Sequence, residues 1–279
     1  MNNERTHDCG TLSDSHIGET VTLCGWVHTR RDHGGLIFVD LWDKYGMTQV
    51  VLNPQIDQLA HDHAQSLRGN FVIAITGKVR ARPNDMVNTK LKTGKIEVYV
   101  DELHILNPSE TPPISPWEPQ DTSEVLRLKY RFLDLRGPVL QRNLKIRYDI
   151  TRVARNELHR NGFMEIETPV LTKSTPEGAR DYLVPSRLNP QKFYALPQSP
   201  QLFKQILMVS GMDRYFQIVK CFRDEDLRFD RQPEFTQIDI EMSFGSEKFI
   251  FQMLEEMMAE IYKEILDVKI DTPFPVLKY

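Results

Sequence analysis

Residues 215–241 read YFQIVKCFRDEDLRFDRQPEFTQIDIE, which is two strand-like runs joined by a charged loop. The first run, residues 215–223, is mostly apolar and delivers Arg223 at its end. In the second run, residues 235–244, the period-two alternation of a strand puts every second side chain on one face. That face carries Phe235, Gln237, Asp239 and Glu241. Since these side chains do not suit an apolar core, we expect them to line a site. The alternative is a surface hairpin with a solvated face.

The segments around this hairpin mix helical and extended patterns. Apolar spacing predicts helices over residues 124–135, 144–159 and 247–266, and a further helix that Ser199-Pro200 opens and Gly211 closes. Residues 163–171 look extended. We therefore expect an α+β domain over residues 124–279.

The first hundred residues follow another pattern. Strand-like runs cover residues 21–31, 35–43, 47–53, 71–82 and 95–106, and residues 55–68 have helical spacing. One helix between the third and fourth strands is the layout of an OB-fold, a small barrel that often binds oligonucleotides. Other five-stranded barrels fit the same pattern. The OB-fold is nevertheless the expected N-terminal domain, over residues 1–107.

Prolines separate the two regions. The segment NPSETPPISPWEPQ, residues 107–120, is too rich in proline for a helix or a central strand. We expect a linker over residues 108–123.

Composition excludes several classes of protein. The 279 residues are 27% charged and 40% hydrophobic, and no apolar run approaches the ~20 residues of a membrane span. The start has no apolar secretion signal, so we expect a cytosolic protein without membrane contact. Three scattered cysteines argue against a disulfide framework or a cysteine zinc site, and no metal site is predicted. With a net charge of −4, nucleic acid would have to bind at a local basic patch.

Several segments resemble one family of enzymes. CFRDEDLRFDRQPEFTQID, residues 221–239, resembles motif 2 of the class II aminoacyl-tRNA synthetases, and GFMEIETPVL, residues 162–171, resembles motif 1. LKYRFLDLR, residues 128–136, resembles the start of the catalytic domain in the subgroup of synthetases that charge Asp, Asn and Lys. Members of this subgroup carry an N-terminal OB-fold. STPEGARDYLVPSR (174–187) and ALPQSPQLFKQ (195–205) are similar to its bacterial aspartyl members.

The resemblance implies an OB-fold barrel followed by part of the antiparallel-sheet catalytic domain of class II synthetases. It implies ATP-dependent activation of L-aspartate to aspartyl-adenylate and transfer to tRNA(Asp). His33 resembles the form in relatives that also charge tRNA(Asn), so the resemblance extends to tRNA(Asn) as a second acceptor. The alternative enzyme is a synthetase specific for asparagine or lysine. Residues 198–201 together with Lys204 favour aspartate as the substrate.

For the ATP site, the resemblance makes Arg223 the catalytic residue at the α-phosphate, where charge builds up in the transition state. Glu225 would accept from the adenine amino group, Phe235 would stack on the purine, and Gln237 would lie near the α-phosphate and ribose. Phe235 as a plain core aromatic is the alternative.

For the aspartate pocket, the resemblance pairs Lys204 with the side-chain carboxylate of the substrate. The positions that would hold the ammonium or border the pocket are Glu177, Ser199, Gln201 and Asp239. A solvated helical lysine is the alternative for Lys204.

In the barrel, basic residues flank an aromatic in the arrangement that binds single-stranded nucleic acid. By resemblance Phe38 stacks on an anticodon base, unless it is a core aromatic. The other tRNA contacts expected are Arg31, Gln49, Arg80, Arg82, Glu97 and Arg228.

Three further expectations follow from the resemblance. Motif 1 implies a homodimer through residues 144–169. The chain ends at Tyr279, before motif 3, so we expect a truncated and inactive fragment whose Mg²⁺ ligands lie beyond residue 279. A tRNA-binding module or paralogue without activation activity is the alternative function.

Overall fold

The computed structural model describes residues 4–117, 122–175 and 177–277. The chain divides into two units, Met1–Arg142 and Asn143–Tyr279. Most of the predicted linker belongs to the first unit, and its residues 118–121 lie outside the described residues. The domain boundaries at residues 107 and 123 stay a prediction.

The first unit contains the expected OB-fold, a closed five-stranded barrel. Its strands are β1 (Thr20–His33), β2 (Leu36–Asp43), β3 (Gly46–Leu52), β4 (Val72–Ala81) and β5 (Ile96–Asn107). They follow one another round the barrel in the order β1-β2-β3-β5-β4. Helix α1 (Gln58–Gln65) lies between β3 and β4 in the chain and is shorter than the predicted 55–68.

The barrel interior is filled by every second side chain of each strand. In β1, Val21, Leu23 and Val27 are at most 1% exposed. Each such aliphatic side chain stabilises the fold by roughly 1.5–3 kcal/mol relative to exposure. Where the pairing of β4 with β5 shifts register, a Cβ on Gly77 would lie 2.2 Å from the carbonyl oxygen of Tyr99. This bulge therefore requires glycine.

The helical segment after the linker is divided. The predicted helix 124–135 consists of α2 (Glu124–Lys129) and α3 (Arg131–Asp134), because Tyr130 leaves helical geometry at φ −108° and ψ 44°. Helix α4 (Pro138–Arg160) begins earlier than the predicted 144, at a proline, which suits the first turn of a helix.

The second unit is built on a three-stranded sheet of β6 (Met164–Glu165), β9 (Arg214–Phe222) and β10 (Glu234–Met242). The strand order is β10-β9-β6, with β9 and β10 antiparallel and β6 parallel to β9. Strands β7 (Leu183–Pro185) and β8 (Phe193–Ala195) form a hairpin, and the helices are α5 (Gln201–Val209) and α6 (Glu247–Leu266). Of the predicted extended segment 163–171, only residues 164–165 form a strand.

One face of this sheet packs on helices. Phe216 of β9 and Ile240 of β10 contact Leu158 of α4 and Met253 of α6 in one apolar cluster. This packing leaves the opposite face of β9 and β10 free for polar side chains. No helix among the described residues is long and apolar enough to cross a membrane.

Candidate functional site

The antiparallel pairing of β9 and β10 creates the expected polar face. Asp239 lies opposite Gln217, and Gln237 lies opposite Val219. Directly opposed residues share a face of the sheet. Asp239 and Gln217 are each 8% exposed. The solvated-hairpin alternative is therefore wrong, because the centre of this face is withdrawn from water.

Helix α5 directs Lys204 onto this polar face. The Nζ atom of Lys204 lies 2.7 Å from Asp239 Oδ1 and 3.3 Å from Glu241 Oε2. Burial lowers the pKa of Lys204, but the hydrogen bonds and charges of Asp239 and Glu241 outweigh it, so the pKa is raised. Lys204 is 8% exposed, which excludes the solvated-lysine alternative.

The second oxygen of Asp239 has an unusual position. Oδ2 is buried and accepts no hydrogen bond from any described residue. The hydroxyl of its neighbour Tyr215 donates to Gln217 Oε1 at 3.0 Å and also interacts with the Asp239 carboxylate, and Thr168 donates to Gln217 Oε1 at 2.9 Å. Burial, and then the Asp239 carboxylate, raise the pKa of Tyr215. Asp239 Oδ2 is therefore a buried acceptor that can take a donor from a ligand.

Arg223 directly follows the last residue of β9 and lies close to the start of β10. Its Cζ atom lies 5.0 Å from the ring centroid of Phe235, within range of a cation–π contact. The backbone N–H of Arg223 donates to Pro233 O at 2.9 Å, which fixes the strand end. Both side chains are half-buried, so Phe235 is not a plain core aromatic.

Gln237 occupies the polar face between Phe235 and Asp239. The thiol of Cys221, on β9, donates to Gln237 Oε1 at 3.2 Å. Burial, and then the Asp239 charge, raise the pKa of Cys221 to about 11. Cys221 therefore stays a neutral thiol that orients Gln237.

Glu225 and Arg228 lie apart from these contacts, in the loop between β9 and β10. Both are exposed. Glu225 Oε2 lies 4.0 Å from Arg231 Nη1. The backbones of Arg228 and Arg231 form an isolated antiparallel β-bridge.

Glu177 is held close to the start of α5. Its Oε2 accepts a hydrogen bond from Ser199 Oγ at 3.0 Å, and its Oε1 accepts one from Thr175 Oγ1 at 3.1 Å. Gln201 is the half-buried first residue of α5. The structure thus joins two of the four predicted pocket-border residues directly.

Gln198 lies in the segment 198–201 that favours aspartate, but the sequence predicts no site role for it. It is 2% exposed, and its amide accepts from Ala179 N at 3.0 Å and donates to Ala179 O at 2.8 Å. It also donates to Asp181 Oδ1 at 2.5 Å. Gln198 therefore fixes the loop that carries Glu177, and its sequence signal is its place in the segment 198–201.

The barrel presents a second polar surface. Arg31 Nη2 donates to Asp40 Oδ1 at 2.9 Å and to Gln49 Oε1 at 3.3 Å, and Gln49 Nε2 donates to Glu97 Oε2 at 3.1 Å. Phe38 lies opposite Arg31 in the β1–β2 pairing and is half-buried, so it is not a core aromatic. The predicted residues Arg31, Gln49 and Glu97 are thus joined by hydrogen bonds, with Phe38 on the same face.

The two remaining predicted arginines of the barrel differ in environment. Arg80 lies with its Cζ 4.2 Å from the ring centroid of Tyr99, an exterior aromatic that the sequence reasoning did not select. Arg82 is 7% exposed and donates to Ile96 O at 2.9 Å. Burial lowers the pKa of Arg82, while the charge of Glu97 raises it in part.

Carboxylates for a metal are scarce on the polar face. Asp239 and Glu241 both pair with Lys204, so within the described ranges this face offers no free carboxylate pair for Mg²⁺. His7, His16 and Glu19, in the first unit, have ligand atoms within 4.8 Å of one another.

Comparison with known families matches both units. Residues 123–279 match the family described as tRNA synthetases class II (D, K and N). Residues 21–106 match the family described as OB-fold nucleic acid binding domain.

Curated relatives and a solved structure are also similar. Aspartate--tRNA(Asp/Asn) ligases from Desulfotalea psychrophila and Oleidesulfovibrio alaskensis are 60% and 58% identical over 99% of this chain and 46% and 45% of their own lengths. The chain thus spans about half the length of the curated relatives it matches. Asparaginyl-tRNA synthetase from Pyrococcus horikoshii, complexed with asparaginyl-adenylate, has a TM-score of 0.81 and 24% identity, over 95% of this chain and 59% of that one. At that identity the likeness concerns the fold.

Proposed function

The chain belongs to the class II tRNA synthetases of the D, K and N group, and from that premise we propose that it serves the ATP-dependent ligation of L-aspartate to tRNA. The reaction has two steps. A carboxylate oxygen of aspartate attacks the α-phosphorus of ATP and pyrophosphate leaves. A terminal ribose hydroxyl of tRNA then attacks the activated carbonyl carbon and AMP leaves. We propose that this reaction takes place in the cytoplasm.

The observation that carries the choice of aspartate is the buried pair of Lys204 and Asp239. An ammonium has three N–H donors, and Asp239 and Glu241 engage two of those of Lys204. The remaining donor suits the side-chain carboxylate of aspartate. Asp239 Oδ2, buried and without a donor among the described residues, suits the substrate ammonium. Asparagine would present an amide to Lys204, and lysine would present a second cation.

Arg223 supports the activation step. Negative charge grows on the α-phosphate and on the leaving pyrophosphate as the carboxylate attacks, so a positioned guanidinium stabilises the transition state. The Phe235 ring limits the motion of that guanidinium and leaves a flat surface on which a purine can stack. Glu225 and Gln237 complete the proposed ATP contacts. The resemblance to class II synthetases implies Mg²⁺, which would offset phosphate charge, while Asp239 and Glu241 of the polar face already pair with Lys204.

The barrel surface with Phe38 is the proposed anticodon contact. Phe38 supplies a stacking face, while Arg31, Arg80 and Arg82 supply positive charge. Arg228 would contact tRNA from the second unit. The names of the curated relatives support both tRNA(Asp) and tRNA(Asn) as acceptors.

A homodimer through motif 1 is proposed for the whole protein. Helix α4 exposes Leu144 and Tyr148 at 54% and 63%, and Met164 of β6 is 58% exposed. Apolar side chains in such numbers suit burial against a second copy. Sedimentation of the natural gene product at micromolar concentration should give a dimer mass, and a monomer mass would contradict the proposal.

The second candidate is a tRNA-binding module without activation, supported by the completeness of the barrel. Charging assays separate the two. The natural gene product should attach labelled aspartate to tRNA(Asp) and tRNA(Asn) transcripts in the presence of ATP. Binding of either transcript without any aspartate attached would favour the module and contradict the ligase.

A further inference from the structure

The three tryptophans of the chain gather round one arginine in the first unit. The Cζ atom of Arg136 lies 4.8 Å from the Trp26 ring centroid and 5.1 Å from that of Trp42. Trp117 packs edge-on against Trp42 at 4.5 Å and against His28 at 4.4 Å. These aromatic contacts hold the guanidinium in place.

The charge of Arg136 has no counter-charge in the described part of the chain. Its Nε and Nη2 atoms are buried without an acceptor there, and so is Nε1 of Trp42. Burial lowers the pKa of Arg136. Buried charges in proteins are normally paired. This guanidinium is therefore suited to an anion from outside the described chain.

A cavity of about 330 Å³ adjoins this cluster. Its charged lining consists of Arg136, Lys44, Lys90, Lys92 and Asp43. Asp43 is engaged elsewhere, since its carboxylate accepts from the backbone N–H of Tyr45 at 2.7 Å and from Arg5 at 3.3 Å. The cavity therefore presents a net positive charge in a chain whose net charge is −4.

We propose that this cavity binds a phosphate-bearing ligand. The guanidinium charge is delocalised over its three nitrogens, so an anion in the cavity interacts with it even though Nε and Nη2 are buried. The three lysines of the lining can bind the other oxygens of the ligand. The volume suits a pyrophosphate or one nucleotide of an RNA strand. None of these residues belongs to the aspartate pocket or to the Phe38 surface.

Tryptophan fluorescence tests this proposal directly, because every tryptophan of the chain lies in the cluster. The chain is titrated separately with inorganic pyrophosphate and with hexauridylate. A saturable change in emission is expected. The double variant Lys44→Glu with Lys92→Glu should weaken it by roughly tenfold or more, since both lysines are exposed and each change reverses a charge.

Lys78→Glu is the matched control. Lys78 is an exposed lysine of β4 that does not line the cavity, so its replacement should change the affinity by less than about twofold. Arg136→Met is a further variant, and circular dichroism shows whether it folds. If it does not, the lysine variants still decide the question.

Each outcome has a meaning. Saturation by pyrophosphate alone identifies a free anion as the ligand, and tighter saturation by hexauridylate identifies an RNA strand. Phe38→Ala should leave the fluorescence titration unchanged, which separates this cavity from the anticodon surface. No emission change with either probe, or equal weakening by Lys78→Glu and the double variant, would overturn the proposal.

Discussion

Replacing Lys204 by methionine removes the ammonium from the polar face while keeping a side chain of similar length. In the structure two of its N–H donors bind Asp239 and Glu241. The third donor is free to bind the side-chain carboxylate of aspartate, so the replacement removes one charge-assisted hydrogen bond between the protein and its substrate. Such a bond is worth ~1.5–3 kcal/mol, which corresponds to an increase of about 10- to 150-fold in the KM for aspartate. The KM for ATP should change little, because Arg223 and Phe235 are untouched.

The same replacement should also affect stability. Lys204 and Asp239 side chains are 10% and 9% exposed. Breaking such a buried pair from one side typically costs ~3–5 kcal/mol in the free energy of unfolding. Because the pKa of Lys204 is raised, the pair's contribution is fully present below the ordinary lysine pKa of ~10.4 and is lost as pH rises through the raised value. The double variant Lys204→Met with Asp239→Asn should recover part of the loss.

The control for both effects is Lys220→Met. Lys220 pairs with Glu234 at 2.8 Å, but both side chains are more than half exposed. Removing this surface pair should cost ~0–1 kcal/mol and leave the KM for aspartate unchanged. Urea denaturation measures stability, and aspartate-dependent ATP–pyrophosphate exchange by the natural gene product measures KM. An unchanged KM for aspartate in a folded Lys204→Met variant would refute the pocket assignment.

The other predictions concern separate parts of the chain. Phe38→Ala should weaken binding of an anticodon hairpin by ~1–3 kcal/mol in a gel-shift titration, and equal binding would contradict the stacking role. Cys221, with a pKa raised to about 11, should carry ~100-fold less thiolate at about pH 8 than in the urea-unfolded chain. Iodoacetamide labelling followed by mass spectrometry should show that difference, and equal labelling would contradict it. Gln198→Met should speed hydrogen exchange at the Ala179 amide by roughly tenfold, and unchanged exchange would show that Gln198 does not fix the loop.

Several features of the fold can be predicted from local pattern. The barrel strands and α6 follow from apolar spacing because each element buries one face. The polar face of β10 follows from the alternation of Phe235, Gln237, Asp239 and Glu241, since polar residues at inward positions need a reason other than packing. Gly211, with φ +81°, ends α5 as its sequence position predicts.

Other features depend on contacts between distant residues. Lys204 meets Asp239 across 35 positions of the chain, and no spacing rule relates a helix residue to a strand residue at that separation. The contacts of Gln198 with Ala179 cannot be predicted from sequence either, because a glutamine between prolines belongs to no helical or strand pattern. The break at Tyr130 arises where the buried Asp134 binds Arg127 and Arg131, at 2.9 and 2.6 Å. The ordinary helical spacing of residues 124–135 gives no sign of it.

We propose that the polar face of β9 and β10 selects aspartate for activation. The most direct measurement is ATP–pyrophosphate exchange by the natural gene product with aspartate, asparagine or lysine as the only amino acid. Exchange is expected with aspartate and should be at least ~100-fold slower with the other two, because a buried charged group without a matching partner is costly. Exchange that is equally fast with asparagine, or absent with aspartate, would contradict it.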